Sequence, residues 1–85
     1  MQLFLLVWNH KHGADYNCFS SEQLAYEYAV KTMRYTLSEW TCGSGRYKNL
    51  SEEELWSSWT EIWEDESGEV EYFEIIQLPI DPKIV

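Results

Sequence analysis

The sequence predicts an α+β domain with the element order ββααβ, a three-stranded and mainly antiparallel sheet with two helices packed on one face. Three observations predict it: two extended runs at the start, two helix start signals in the middle, and a further extended run near the end. With 85 residues, 45% of them hydrophobic, the chain is predicted to fold as one domain over residues 1–85.

The first extended run, QLFLLVWN at residues 2–9, is apolar at both alternating positions. Successive side chains of a strand point to opposite faces, so this run predicts a strand that is buried on both sides and central in its sheet. Two helices on one side leave the other face open. We expect the C-terminal LPIDPKIV, a second copy or another partner to cover that face, and a homodimer is the prediction that follows.

A hairpin is predicted to join this strand to the next, ADYNCF. Gly13 and Ala14 fit the two central residues of a type II′ turn, which favours glycine first. In this register His12 lies opposite Asp15, and His10 lies opposite Asn17. Four polar side chains then share one face at the hairpin tip: His10, His12, Asp15 and Asn17.

Two helices follow, each opened by a capping box. Ser20 with Gln23 starts the first, and Ser51 with Glu54 starts the second, which Gly68 is predicted to end. A glycine-rich connection, TCGSGRYKN, separates them, and EVEYFEIIQL forms the last strand. One face of the first helix carries Ala25, Tyr28, Ala29, Thr32, Met33, Thr36, Leu37 and Trp40.

The net charge of −9 is unevenly distributed along the chain. Residues 1–48 hold five bases and four acids, a net charge of +1, whereas residues 49–85 hold eleven acids and one base, a net charge of −10. Phosphates would be repelled by this surface, which argues against direct binding of nucleic acid or of an anionic membrane. The charge favours a basic protein partner, including a nucleic-acid-binding protein whose groove the acidic surface fills.

The acidic half has two interpretations. It is a solvated surface that confers solubility and discourages edge pairing, or it is a binding surface with aromatic residues beside it. The leading hypothesis is a protein-binding module rather than an enzyme, with no cofactor, acting as an inhibitor. Its predicted interface residues are Glu61, Glu64, Asp65, Glu66, Glu69 and Glu71.

A second hypothesis places a divalent metal such as Zn²⁺ at His10, His12 and Asp15. Two imidazoles and a carboxylate with open positions are a ligand set for Zn²⁺, Fe²⁺ or Mn²⁺, and the chain would then be a metal-binding protein or a metal-dependent hydrolase. Polar residues at a solvent-exposed hairpin tip are the plainer interpretation. A third hypothesis is a structural subunit of a larger assembly.

The cysteines and the N-terminus bear on the cellular compartment. Cys18 and Cys42 form no C-x-x-C and can make only one bridge, which is not the framework of a secreted protein. The apolar run at the start has no basic region before it and no cleavage site after it, and it ends at His10. These features predict a cytoplasmic protein with reduced thiols.

The N-terminal third also carries a resemblance. His10, His12, Gly13 and Asp15, followed by the FSSEQLA helix start, resemble a group of small bacterial and phage proteins with an N-terminal H-x-H-G-x-D hairpin. The resemblance covers about thirty residues and implies a phage or mobile-element origin, but no particular chemistry. By analogy of size and charge, the chain is similar to small acidic phage inhibitors of host defence, such as anti-CRISPR proteins.

Overall fold

The computed structural model describes residues 2–40 and 47–79, and the chain follows the predicted order ββααβ. Residues 41–46, which include Cys42, and residues 80–85, which hold most of the predicted covering segment, lie outside the described residues. The elements are β1 (Gln2–His10), β2 (Gly13–Phe19), α1 (Glu22–Trp40), α2 (Glu52–Ser67) and β3 (Tyr72–Pro79).

Strand β1 lies at the centre of the sheet. The strand order is β2-β1-β3, and both pairs are antiparallel. Leu6 and Val7 point to opposite faces, yet they are only 1% and 6% exposed. The apolar residues at both alternating positions of this run predict a central strand, and the structure confirms that prediction.

Both helices lie on the face of the sheet that carries Leu6. Ala25 and Ala29 of α1 are fully buried in the same cluster as Leu6. Trp59 of α2 contacts Phe73 of β3 edge to face, with the ring centroids 5.9 Å apart. A second cluster holds the two helices together: Val30, Met33, Leu37, Leu55, Trp59, Ile62 and Trp63.

The hairpin between β1 and β2 turns two residues earlier than predicted. Lys11 and His12 form the turn, and His10 pairs with Gly13. Gly13 has a φ of 123°, a conformation that side-chain-bearing residues rarely adopt. A glycine with positive φ directly after two turn residues is a common hairpin closure, and the prediction wrongly made it the first central residue.

The predicted pairing across the hairpin is therefore wrong. Trp8, and not His12, is the cross-strand partner of Asp15, and Leu6 is the partner of Asn17. Asp15 and Asn17 still share the face of His10, because the shift is an even number of residues.

Helix α1 begins one residue later than predicted. The hydroxyl of Ser21 accepts a hydrogen bond from the backbone N–H of Leu24 at 3.1 Å, so Ser21 rather than Ser20 is the N-cap. The side chain of Gln23 donates to Glu27 within the helix, and the capping box predicted at Ser20 is wrong.

Both ends of helix α2 are as predicted. The Ser51 hydroxyl accepts from the Glu54 N–H at 3.2 Å, and the Glu54 carboxylate accepts from the Ser51 N–H at 3.2 Å. Gly68 ends the helix in the left-handed conformation, and its N–H donates to the Glu64 carbonyl at 2.8 Å.

Candidate functional site

His10 lies at the end of β1 with both ring nitrogens hydrogen-bonded. Its Nε2 is 3.0 Å from Oδ2 of Asp15, and its Nδ1 accepts from the backbone N–H of His12 at 3.2 Å. A carboxylate only accepts and a backbone N–H only donates. The two contacts therefore fit the neutral imidazole with its proton on Nε2.

This arrangement occupies the lone pair that His10 would need for chemistry. In the neutral ring, only the unprotonated nitrogen can take up a proton or bind a metal. Here that atom is Nδ1, which already accepts from His12. A general-base or metal-ligand role for His10 would require breaking this hydrogen bond.

The three predicted metal ligands are only partly brought together. His10 and Asp15 are in contact, but His12 is exposed in the turn, with its ring centroid 6.2 Å from that of His10. Within residues 2–40 and 47–79, no three His, Cys, Asp or Glu side chains are placed to hold a metal ion. The described hairpin tip is a His–Asp pair next to a turn.

Glu71, one of the predicted interface residues, is a buried carboxylate. It is 6% exposed, and the Trp8 Nε1–H donates to its Oε2 at 3.2 Å. Burial raises the pKa of the Glu71 carboxyl, whereas the Trp8 hydrogen bond opposes that rise. The Nε1 of Trp63 is buried and has no hydrogen-bond partner in the described part of the chain. Glu71 therefore presents no carboxylate to a partner.

The other five predicted interface residues fall into two groups. Glu61, Glu64 and Asp65 are exposed on α2 and form no ion pair with any described residue. Glu66 is half-buried and accepts from the Tyr47 hydroxyl at 2.6 Å, and Glu69 pairs with Lys11 at 2.8 Å. The structure thus leaves the first three as the accessible part of the set.

Sequence reasoning missed a groove between the first turns of α1 and α2. Tyr26 and Trp56 contact each other there, with ring centroids 5.4 Å apart, and the rim includes Glu22, Glu52 and Glu53. Partial burial raises the pKa of the Tyr26 hydroxyl, and Glu52 and Glu53 raise it further. Aromatic rings beside carboxylates were expected of a binding surface. Glu52 and Glu53 also lie in the first turn of α2, where acidic side chains suit the helix dipole.

The sheet face away from the helices is mainly apolar and uncovered by any described element. Tyr16, Ile76 and Leu78 are exposed there by 64%, 38% and 37%. Cys18 carries a free and exposed thiol on the same face. Among its described side chains, Glu74 is the single charged one.

The fold and these surfaces define a small acidic α+β protein with three exposed features: a carboxylate-rich helix, an apolar sheet face and a His–Asp hairpin tip. Comparison with protein-family models, with curated proteins and with solved structures finds no match for this chain. The resemblance of the hairpin to phage and bacterial proteins stays a prediction, and function has to be argued from the chain's own residues. Among the described helices, none is long and apolar enough to cross a membrane.

Proposed function

We propose that this chain is a protein-binding module that docks a basic surface of another protein along helix α2. The observation that carries the proposal is a row of exposed carboxylates on this helix, none of which pairs with a described cation. The helix has 16 residues and is about 24 Å long, enough to present several charges to one partner. Glu53, Glu61, Glu64 and Asp65 fall within about 120° around the helix axis and form this row, and Glu52 lies beside it at the groove.

The charge pattern favours a cationic partner over solvent alone. In a chain with a net charge of −9, carboxylates on one helix repel one another, and a basic surface relieves that repulsion on binding. Complementary charge also accelerates the encounter of two proteins. At the N-terminal end of the row, Trp56 and Tyr26 supply an aromatic anchor of the kind that contributes most binding energy in protein interfaces.

The partner class that fits this surface best is a nucleic-acid-binding protein. Such a protein carries a basic groove that attracts phosphates, and the carboxylate row of α2 offers a competing set of negative charges. The module would then act as an inhibitor of that partner by excluding its nucleic acid. Nucleic acid itself would be repelled by α2.

The experiment compares two doubly neutralised variants with the same net charge. Glu61→Gln with Glu64→Gln removes two charges from α2, and Glu27→Gln with Glu39→Gln removes two exposed charges from α1. Partners captured from lysate by the wild-type chain are purified, and their Kd values for the three forms are measured at several salt concentrations.

We expect the α2 variant to bind a basic partner about tenfold or more weakly, and the α1 variant to bind much as the wild type does. Equal weakening by both variants would show that net charge acts without regard to α2. Recovery of partners that bind directly but lack a basic surface, or of no direct partner, would also overturn the proposal.

We also propose that a second copy of the chain covers the open sheet face. The supporting observation is charge: this face holds one described carboxylate in a chain of net charge −9, so two copies repel each other least there. Three strands about 4.8 Å apart and about eight residues long give a face of roughly 400 Å² per copy. Two copies would bury roughly 800 Å² in total, which is below the roughly 1,200 Å² at which stable interfaces begin, so the dimer is weak and should dissociate on dilution.

Sedimentation over a wide range of protein concentration tests the dimer. Ile76→Lys places a charge on the open face and should yield a monomer at concentrations where the wild type is dimeric. Tyr35→Lys, at a 67% exposed position on α1, is the matched control and should leave the dimer intact. A wild-type mass that stays monomeric at every concentration would refute the proposal.

A further inference from the structure

A cleft of about 270 Å³ opens between β2 and α1 on the helix-covered side of the sheet. Trp8, Leu6 and Phe73 line its apolar part, and Asp15, Asn17 and Tyr28 line its polar part. No described lysine or arginine lines it. Binding sites for drug-sized molecules begin at about 300 Å³, so this cleft suits one side chain or one ring rather than a large cofactor.

Trp8 lines this cleft, and its ring contacts His10 edge to face with the centroids 5.3 Å apart. One face of the Trp8 ring stacks on Phe73 of β3, with the centroids 5.4 Å apart and the planes 12° from parallel. Strand β1 is central, so β2 lies on the side of Trp8 opposite to Phe73. Asp15 is the residue of β2 that pairs with Trp8, so it lies on the side of the ring that Phe73 does not cover.

The polar groups on this side of the Trp8 ring have unused hydrogen-bonding capacity. The Asp15 side chain is 61% exposed, and only its Oδ2 is engaged, by His10. Oδ1 of Asp15 and the side-chain amide of Asn17 have no hydrogen-bond partner among the described residues. His10 is neutral when bonded as described above, so the local charge is that of a carboxylate.

We propose that this cleft binds the guanidinium group of an arginine side chain from a partner protein. Guanidinium is planar and cationic, so it stacks on the tryptophan face while its N–H groups bond to the carboxylate. The asparagine amide oxygen can accept a further N–H. This inference goes beyond the function proposed above, because it uses none of the carboxylates on α2.

The test is an NMR titration of the full ¹⁵N-labelled chain with N-acetylarginine amide. We expect saturable shifts at the Trp8 indole N–H and at the backbone amides of Asp15 and Asn17. Nα-acetylcitrulline amide has the same planar shape without the positive charge. Nα-acetyllysine amide has the positive charge of a free ε-ammonium group but no planar guanidinium. Both should bind about tenfold or more weakly.

Two single variants with the same change of charge complete the test. Asp15→Asn should weaken binding of N-acetylarginine amide about tenfold or more, whereas Glu27→Gln on the exposed side of α1 should not change it. Should Asp15→Asn disturb the hairpin, the comparison of arginine with citrulline on the wild type decides alone.

Three results would overturn the inference: no saturable shift at these residues, equal binding of citrulline and arginine derivatives, or equal binding of benzamide. The last would indicate a site for neutral rings. The double α2 variant, Glu61→Gln with Glu64→Gln, should bind the arginine derivative as the wild type does. Failure of the proposed function would therefore leave this test unaffected.

Discussion

The hydrogen bonds of single atoms at His10 bear on the two hypotheses for the hairpin tip. The His12 N–H donates to Nδ1, and Asp15 accepts from Nε2, so the ring is held in one tautomer and one orientation. His10 also contacts Trp8, with the ring centroids 5.3 Å apart. At this scale the described contacts hold the His10 ring against the turn, and the proposed recognition chemistry lies at Trp8 and Asp15.

A zinc titration checks this description of His10. Addition of Zn²⁺ to protein without a histidine tag should leave Tm unchanged, because binding at His10 would first have to break the hydrogen bond to Nδ1. The measurement is thermal unfolding with and without the metal. A rise in Tm that His10→Ala abolishes would contradict it and restore the metal hypothesis.

The buried carboxyl of Glu71 predicts a pH dependence of stability. Burial raises its pKa above the ordinary value of 4.5, so the folded chain binds this proton more tightly than the unfolded chain. The stability that this group contributes is complete below the unfolded-state pKa and is lost as pH rises through the folded-state pKa. At neutral pH, the buried charge reduces stability.

Glu71→Gln should therefore raise the free energy of unfolding at neutral pH, since the amide oxygen can still accept from the Trp8 indole N–H without a buried charge. The gain should disappear at acidic pH, where the carboxyl is protonated. Urea unfolding across pH measures this, with Glu39→Gln at an exposed position of α1 as control. A variant that is less stable than the wild type at neutral pH would contradict the assignment.

At the scale of elements, local sequence predicts those boundaries where a single residue meets the requirement. Ser51 is the one serine directly before α2, a cap at Ser51 places Glu54 at the third helical position, and Gly68 is the one glycine at the other end; the structure uses all three as predicted. Ser20 and Ser21 are both good caps, so local sequence cannot choose between them. The structure selects Ser21, whose hydroxyl accepts from the Leu24 N–H.

The cap of α1 is testable with two adjacent serines. Ser21→Ala should lower the free energy of unfolding by about 1 kcal/mol, because the Leu24 N–H loses its side-chain acceptor. Ser20→Ala is the matched control and should have a much smaller effect. Urea unfolding of both variants gives the comparison, and a larger loss at Ser20 would restore the cap first predicted.

The buried stripe of α1 also differs from its prediction. Ala25, Ala29, Met33 and Leu37 are buried as expected, while Trp40 is 52% exposed. Val30 replaces it in the core, because α1 packs on the sheet near Ala25 and on α2 near Val30. Apolar periodicity predicts one buried face for the whole helix. It does not show that α1 packs on the sheet at one end and on α2 at the other.

At the scale of the whole molecule, the pattern of apolar residues predicts the fold class, but the sequence does not predict which charged side chains are buried, paired or exposed. Element order, the central strand and the helix-covered face all follow from apolar patterning. The acidic run in the sequence looks uniform, yet the structure buries Glu71, pairs Glu69 with Lys11 and exposes Glu61. Such differences depend on contacts between residues far apart in the chain, which periodicity does not report.

The same limit applies to the cleft. The sequence predicts Trp8 as an apolar residue of the central strand and Asp15 as a candidate metal ligand, and the predicted register keeps the two apart. In the structure the turn lies at Lys11 and His12, two residues before the predicted turn, and this register makes Trp8 and Asp15 cross-strand neighbours. The candidate arginine site therefore depends on hairpin register, the feature that short turn signals specify least.

The central claim is that helix α2 is the surface that meets a basic partner. An NMR titration of the full ¹⁵N-labelled chain with a peptide of nine lysines, near physiological ionic strength, tests it most directly. We predict saturable shifts concentrated at Glu61, Glu64 and Asp65, with smaller shifts at the equally exposed Glu27 and Glu39 of α1. Shifts of equal size on both helices, or largest on α1, would contradict the claim.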